Sequence, residues 1–94
     1  MKVRITPQAG EDVGAIVEYL TKRSPQGARN VLQSLHAALD FIECHPYAAE
    51  KTVDDYLRMK TVPGYSYKIF YDIGRDAVEV VHIRHDSREP WKSK

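Results

Sequence analysis

The sequence is short of several features, and each shortage excludes a class of protein. Cys44 is the sole cysteine among 94 residues, so an internal disulfide and a cysteine-rich zinc site are both excluded. No apolar run approaches the ~20 residues of a membrane span, and the first residues contain no apolar stretch of signal-peptide length. We therefore expect a cytoplasmic protein in a reducing compartment, with no membrane partner.

Net charge is also small. The chain carries 14 Lys and Arg residues against 13 acidic ones, a formal net charge of +1. A protein whose affinity came mainly from neutralising phosphates would be more basic. Within residues 57–68, however, Arg58, Lys60 and Lys68 occur without any acidic residue. Contacts with an anionic partner are therefore expected in the second half of the chain.

The first half has the pattern of a strand followed by two helices, within a single domain over residues 1–94. Residues 2–5 alternate polar and apolar, as in a strand. Thr6-Pro7 and Ser24-Pro25 each combine a capping side chain with a proline suited to the first helical turn. Apolar residues then recur at helical spacing. With almost no loop between them, the two helices are predicted to form an antiparallel hairpin.

The second half has the pattern of three strands, over residues 56–62, 65–73 and 77–84. The short gaps between them predict a meander of hairpins. The last strand is almost continuously apolar, which is typical of a central strand. We therefore predict an α+β fold of two layers in the order β-α-α-β-β-β, with the helical hairpin packed on a mainly antiparallel sheet.

Polar residues within these elements receive structural interpretations first. Asp12 lies in the early turns of the first helix, where the helix dipole favours an acid. His82 alternates with Val78 and Val80 and is predicted to share their face as a partly buried histidine. His36 and His45 are too far apart to bind one metal from the same helix, and no cluster of acids and histidines is present, so we expect no metal and no cofactor.

The order and spacing of several short motifs resemble the ParE/RelE superfamily, the toxins of bacterial type II toxin–antitoxin systems. The motifs are Thr6-Pro7-Gln8-Ala9 with Asp12 and Ile16, Tyr19-Leu20, His45-Pro46, Arg58-Met59-Lys60, Pro63-Gly64-Tyr65, Tyr67-Lys68-Ile69-Phe70-Tyr71, and Val80-Val81-His82-Ile83-Arg84-His85 followed by Arg88 and Trp91. The ending is most similar to the ParE branch. The resemblance implies a RelE-like fold, a cognate ParD-like antitoxin, a role in plasmid stabilisation, and DNA gyrase as the target.

An alternative implied by the same resemblance is a RelE-type nuclease that cuts mRNA on the ribosome. Such a reaction needs a base, an acid and cations around the scissile phosphate. By position, the resemblance assigns these roles to five residues: Arg58, Lys60, Lys68, Arg84 and His85. Trp91 falls near the terminal aromatic residue of the RelE pattern, but an indole N–H is not a general acid or base.

Low net charge and this missing titratable group favour a toxin that binds a protein and has no catalytic residues. The predicted target-binding residues are Arg84, Arg88 and Trp91, because Arg and Trp are enriched at the energetic centres of interfaces. The antitoxin is expected on the outer helix surface around Val13, Val17, Tyr19 and Leu20. A third possibility is an inactive interaction domain, which would not arrest growth when expressed alone.

Overall fold

The computed structural model describes residues 1–52 and 56–85 of the chain. Seven elements follow one another along it. They are β1 (Lys2–Ile5), α1 (Pro7–Arg23), α2 (Pro25–Cys44), β2 (Glu50–Lys51), β3 (Leu57–Thr61), β4 (Tyr67–Ile73) and β5 (Ala77–His85). The predicted α+β fold is confirmed, with one addition: the two-residue strand β2 was not predicted.

A single residue, Ser24, joins the two helices. Its backbone N–H donates to the Leu20 carbonyl at 2.7 Å and so closes α1. Its Oγ accepts from the Gly27 N–H at 3.0 Å and so opens α2. Thr6 caps α1 in the same way, accepting from the Ala9 N–H at 3.3 Å. Both helix starts predicted from a capping residue followed by proline are therefore confirmed.

The five strands form one mixed sheet in the order β1-β5-β4-β3-β2. β1 pairs with β5 in parallel, and the other pairings are antiparallel. β5 therefore lies between β1 and β4, as its apolar sequence predicted. The turn between β3 and β4 contains Gly64 at φ +80°, a conformation that glycine adopts without steric cost.

The helices cover one face of this sheet, and the core lies between the two layers. Its buried members are Ala9, Val31, Leu35, Ala38, Ile42, Val62, Tyr67, Ile69, Tyr71, Val78, Val80 and Ile83. Side chains alternate along a strand, so Lys68 and Phe70 of β4 lie on the opposite face of the sheet. We call that opposite side the far face.

A β-bulge in β5 changes which residues share a face. Tyr71 pairs with Val80, but its neighbour Phe70 pairs with His82, so Val81 has no partner in the register. The extra residue reverses the alternation. His82 therefore lies on the far face with Phe70, and the prediction that it shares a face with Val78 and Val80 is wrong. Its predicted partial burial is confirmed, since 28% of its side chain is exposed.

Candidate functional site

Beyond the end of β1, polar side chains of α1 and of its capping residue Thr6 lie beside β5. The pairing of β1 with β5 stops at Ile5, opposite Val80. The Thr6 hydroxyl then donates to the Val80 carbonyl at 2.8 Å. Farther along, the Ile83 N–H donates to Asp12 Oδ2 at 2.9 Å. A carboxylate on a helix thus satisfies a backbone donor that would otherwise need another strand.

Asp12 is the buried acid at the centre of a small polar group. The residue is only 7% exposed, and Gln8 Nε2 donates to its Oδ1 at 3.0 Å. His82 Nδ1 lies 3.5 Å from Oδ2, and Arg84 Nη1 lies 3.7 Å from Oδ1. Arg84 Nη2 and His82 Nδ1 are 3.3 Å apart. We call Gln8, Asp12, His82 and Arg84 the Asp12 cluster. Its hydrogen bonds and opposing charge offset the cost of burying a carboxylate.

The helix-dipole interpretation of Asp12 does not account for this cluster. One signal was available. Asp12 lies three residues after Ala9 and four before Ile16, which places it on the face that α1 turns toward the sheet. An acid at such a position requires a partner from the packed element. The identity of that partner depends on the β-bulge, which no local pattern reveals.

A small pocket lies next to the cluster, between α1 and the end of β5. Its volume is about 110 Å³. It is lined by Asp12, Ala15, Ile16, Tyr19, Tyr67, Ile83, Arg84 and His85. Pockets that bind small molecules usually measure about 300–1,000 Å³. This one therefore has room for a side chain rather than for a nucleotide.

The structure divides the five candidate nuclease residues among different places. Directly opposite residues of paired strands share a face, and Arg58 and Lys60 pair with the core residues Tyr71 and Ile69. Both cations therefore lie on the helix-covered face. Lys68 and Arg84 pair with each other on the far face.

His85 is on the helix-covered face, but toward the opposite end of β4 from Arg58. It pairs with Tyr67, and the two rings meet edge to face with centroids 5.2 Å apart. Arg58 pairs with Tyr71, four residues along the same strand, which corresponds to about 13 Å. The described geometry therefore brings Lys68 together with Arg84, but does not gather all five residues around one point.

Arg58 and Lys60 make contacts within the fold. Arg58 Nη1 donates to the Ala49 carbonyl at 2.7 Å, and its guanidinium lies 5.4 Å from the centre of the Tyr47 ring. Lys60 Nζ lies 4.3 Å from the centre of the Phe41 ring on α2. These contacts hold the connection after α2 and the edge of the sheet together.

Tyr71 completes this internal network. Its hydroxyl donates to the Pro46 carbonyl at 2.7 Å, while its ring is fully buried in the core. Burial raises the pKa of the Tyr71 hydroxyl above its ordinary value of 10.0, and the nearby Arg58 guanidinium opposes that rise. The neutral phenol is therefore the form that the fold requires.

Of the predicted target-binding residues, the structure describes Arg84 alone. Its side chain is one-third exposed and belongs to the Asp12 cluster. Arg88 and Trp91 lie outside the described residues. The target-binding assignment therefore stays a prediction.

The predicted antitoxin residues divide between the core and the surface. Val13 and Leu20 are partly buried against the core, and Val17 is half-buried. Tyr19 is 43% exposed, with the Arg23 guanidinium 4.5 Å from its ring centre. Val13 also lines an apolar groove of about 320 Å³, whose walls are Ile5, Gly10, Val13, Leu32, Leu35, His36, Leu39 and Ile83. We call this the helix groove.

The described residues form neither a metal-binding cluster nor a membrane-spanning helix. Within residues 1–52 and 56–85, no group of three or more His, Cys, Asp or Glu side chains is placed to hold a metal ion. Neither of the two helices in that part of the chain has the length and apolar character needed to cross a membrane.

Comparison with known proteins gives a consistent result. Residues 3–90 match the family model described as the ParE toxin of the type II toxin–antitoxin system parDE. A solved structure of a chromosomal ParDE toxin–antitoxin system from P. aeruginosa has a chain of similar fold, with a TM-score of 0.74 and 14% sequence identity. That match covers 90% of this chain and 95% of the other. No curated protein sequence matches the chain.

Proposed function

The chain belongs to the ParE toxin family of type II toxin–antitoxin systems, and we propose that it arrests bacterial growth by binding DNA gyrase in the cytoplasm and stabilises the replicon that encodes it. In this proposal gyrase supplies the chemistry: the toxin holds the enzyme at the stage where DNA is cut and prevents resealing. Family membership also implies an antitoxin partner, and we propose a ParD-like protein encoded beside the toxin.

The observation that carries the proposal is the separation of the cationic residues. A nuclease needs its acid, base and cations around one phosphate. Here Arg58 is bonded to the Ala49 carbonyl and Lys60 lies against Phe41, on the face opposite Lys68 and Arg84. That arrangement favours binding over cleavage. The proposed target surface consists of Arg84 on the far face together with Arg88 and Trp91.

Induction of the toxin without antitoxin tests this proposal. We expect growth arrest with cleaved DNA and an SOS response, while mRNA remains intact. A His85→Ala variant should weaken this effect at most, because a binding interface does not depend on one titratable group. Ribosome-dependent mRNA cuts that His85→Ala abolishes would instead identify a RelE-type enzyme. Absence of growth arrest in the wild type would identify an inactive interaction domain.

For the antitoxin we propose the helix groove and the adjoining surface of α1, including Val13, Val17, Tyr19 and Leu20. Ile5 and Leu32, which are 45% and 39% exposed, both line this groove and leave apolar surface there that a partner can cover. A partner segment with apolar side chains at helical spacing fits such a groove.

A charge placed in the groove tests this surface. Leu32→Glu should weaken binding of the neighbouring gene's antitoxin by about tenfold or more, since it would bury an unpaired carboxylate. Gln33→Glu is the matched control, because it adds the same charge at the next, exposed position. Isothermal titration of both variants measures the difference. Equal affinities would place the antitoxin elsewhere.

A further inference from the structure

The Asp12 side chain carries a negative charge that its hydrogen bond to the β5 backbone does not need. Ile83 N–H needs one acceptor, and Asp12 Oδ2 provides it at 2.9 Å. An asparagine side chain would accept the same hydrogen bond without placing a charge in a site that is 7% exposed. Burying the charge costs free energy unless an opposing charge offsets it. The negative charge of Asp12 therefore acts on the permanent cation of the cluster, Arg84.

Arg84 is the cluster member whose surroundings are most affected by a second positive charge. It lies directly opposite Lys68 on the far face, and like charges at directly opposite positions of a sheet repel. Asp12 Oδ1, 3.7 Å from Arg84 Nη1, offsets part of that repulsion. His82 Nδ1, 3.3 Å from Arg84 Nη2, holds the other side of the guanidinium. The Arg84 side chain is thus fixed while a third of it remains exposed.

A fixed, partly exposed arginine is suited to binding, because its side-chain entropy is lost before the partner arrives. We propose that Asp12 is a positioning residue for target engagement: its buried charge holds the Arg84 guanidinium in the orientation that the target binds. This inference rests on the proposed function, in which Arg84 belongs to the target surface. It assigns Asp12 no contact with the target.

The substitution Asp12→Asn separates the charge from the hydrogen bond. It keeps an oxygen for the Ile83 N–H, so we expect a native fold and unchanged antitoxin affinity. Inhibition of purified DNA gyrase and growth arrest on induction should both weaken by at least about tenfold. Glu11→Gln is the matched control, because it removes the same charge from the adjacent exposed position of α1 and should retain full toxicity.

A double-mutant cycle with Arg84→Ala distinguishes positioning from general stabilisation. If Asp12 acts through Arg84, Asp12→Asn should reduce target inhibition in the wild type but add nothing in the Arg84→Ala background. If the role of Asp12 is purely structural, Asp12→Asn should lower the melting temperature and should reduce inhibition by the same factor in both backgrounds. That result would overturn the proposal. Full toxicity of Asp12→Asn would overturn it as well.

The behaviour of the wild-type protein distinguishes failure of this inference from failure of the proposed function. If the wild type arrests growth without inhibiting gyrase, the gyrase assignment is wrong, and the Asp12 cycle is then measured by growth arrest alone. If the wild type does not arrest growth, the toxin function is wrong, and the positioning role is wrong with it. If the wild type inhibits gyrase and the cycle shows no coupling, only the role of Asp12 is refuted.

Discussion

At the scale of single residues, Tyr71 links the core to the connection that follows α2. Its ring packs among core side chains from both layers, and its hydroxyl donates to the Pro46 carbonyl. Ionisation would replace this donor with a buried negative charge. Burial therefore raises the pKa of Tyr71, and the nearby Arg58 guanidinium cancels only part of that rise. The fold is therefore sensitive to loss of one phenolic proton.

The sign of this effect gives a pH dependence. The pKa of Tyr71 is higher in the folded protein than in the unfolded chain, so its contribution is complete below about pH 10 and is lost as the pH rises through the folded value. Denaturant unfolding between about pH 8 and pH 11 measures the loss. Tyr71→Phe should cost about 1 kcal/mol at neutral pH, from the missing hydrogen bond, but should flatten the alkaline decline.

Tyr56→Phe is the control for that experiment, because Tyr56 is 67% exposed. It should leave the alkaline decline of the wild type unchanged. An identical alkaline slope in Tyr71→Phe and the wild type would show that another group causes the decline.

At the scale of elements, the helical hairpin depends on two short capping signals. Ser24 ends α1 through its backbone and begins α2 through its side chain. A capping hydroxyl satisfies a helical N–H that has no partner within the helix. Loss of that hydroxyl therefore affects the second helix directly and leaves the first helix with its closing bond.

We expect Ser24→Ala to lower the free energy of unfolding by about 1 kcal/mol. Ser24→Asp keeps a capping oxygen near the positive end of the helix dipole and should retain most of the stability. Thermal unfolding of the three proteins checks the order. Equal loss in both variants would mean that the Oγ contact with Gly27 contributes little.

Sequence patterns predicted the elements that contain their own local signals. Both helices and the strands β1, β3, β4 and β5 follow from capping residues, periodicity and turn residues. β2 does not, because two residues carry no period and pair only where β3 places Met59 and Arg58 beside them. The faces of Arg58 and Lys60 likewise depend on register, which is a property of two strands rather than of one. For that reason the sequence offered individual candidate residues such as Arg84 and His85, but it predicted neither the contacts between them nor the part that Asp12 plays in the site.

At the scale of the whole molecule, the two faces of the sheet carry different chemistry. The helix side presents an apolar groove of about 320 Å³. The far face carries Lys68 and Arg84 side by side, in a chain whose formal net charge is only +1. Two cations are therefore adjacent on this face although the chain as a whole is close to neutral. In the proposed function, this division allows one small domain to present separate surfaces to an antitoxin and to a target.

The parallel pairing of β1 with β5 also has a consequence for synthesis. The Thr6 hydroxyl and the Val80 carbonyl that accepts from it are 74 residues apart. At roughly 5–20 residues per second, translation needs roughly 4–15 s to cover that distance. Throughout this interval the first strand has no neighbour, and the apolar sides of both helices have no complete sheet to pack on. The sheet can therefore be completed only after β5 has been synthesised, because β5 is the strand that joins β1 to the other strands.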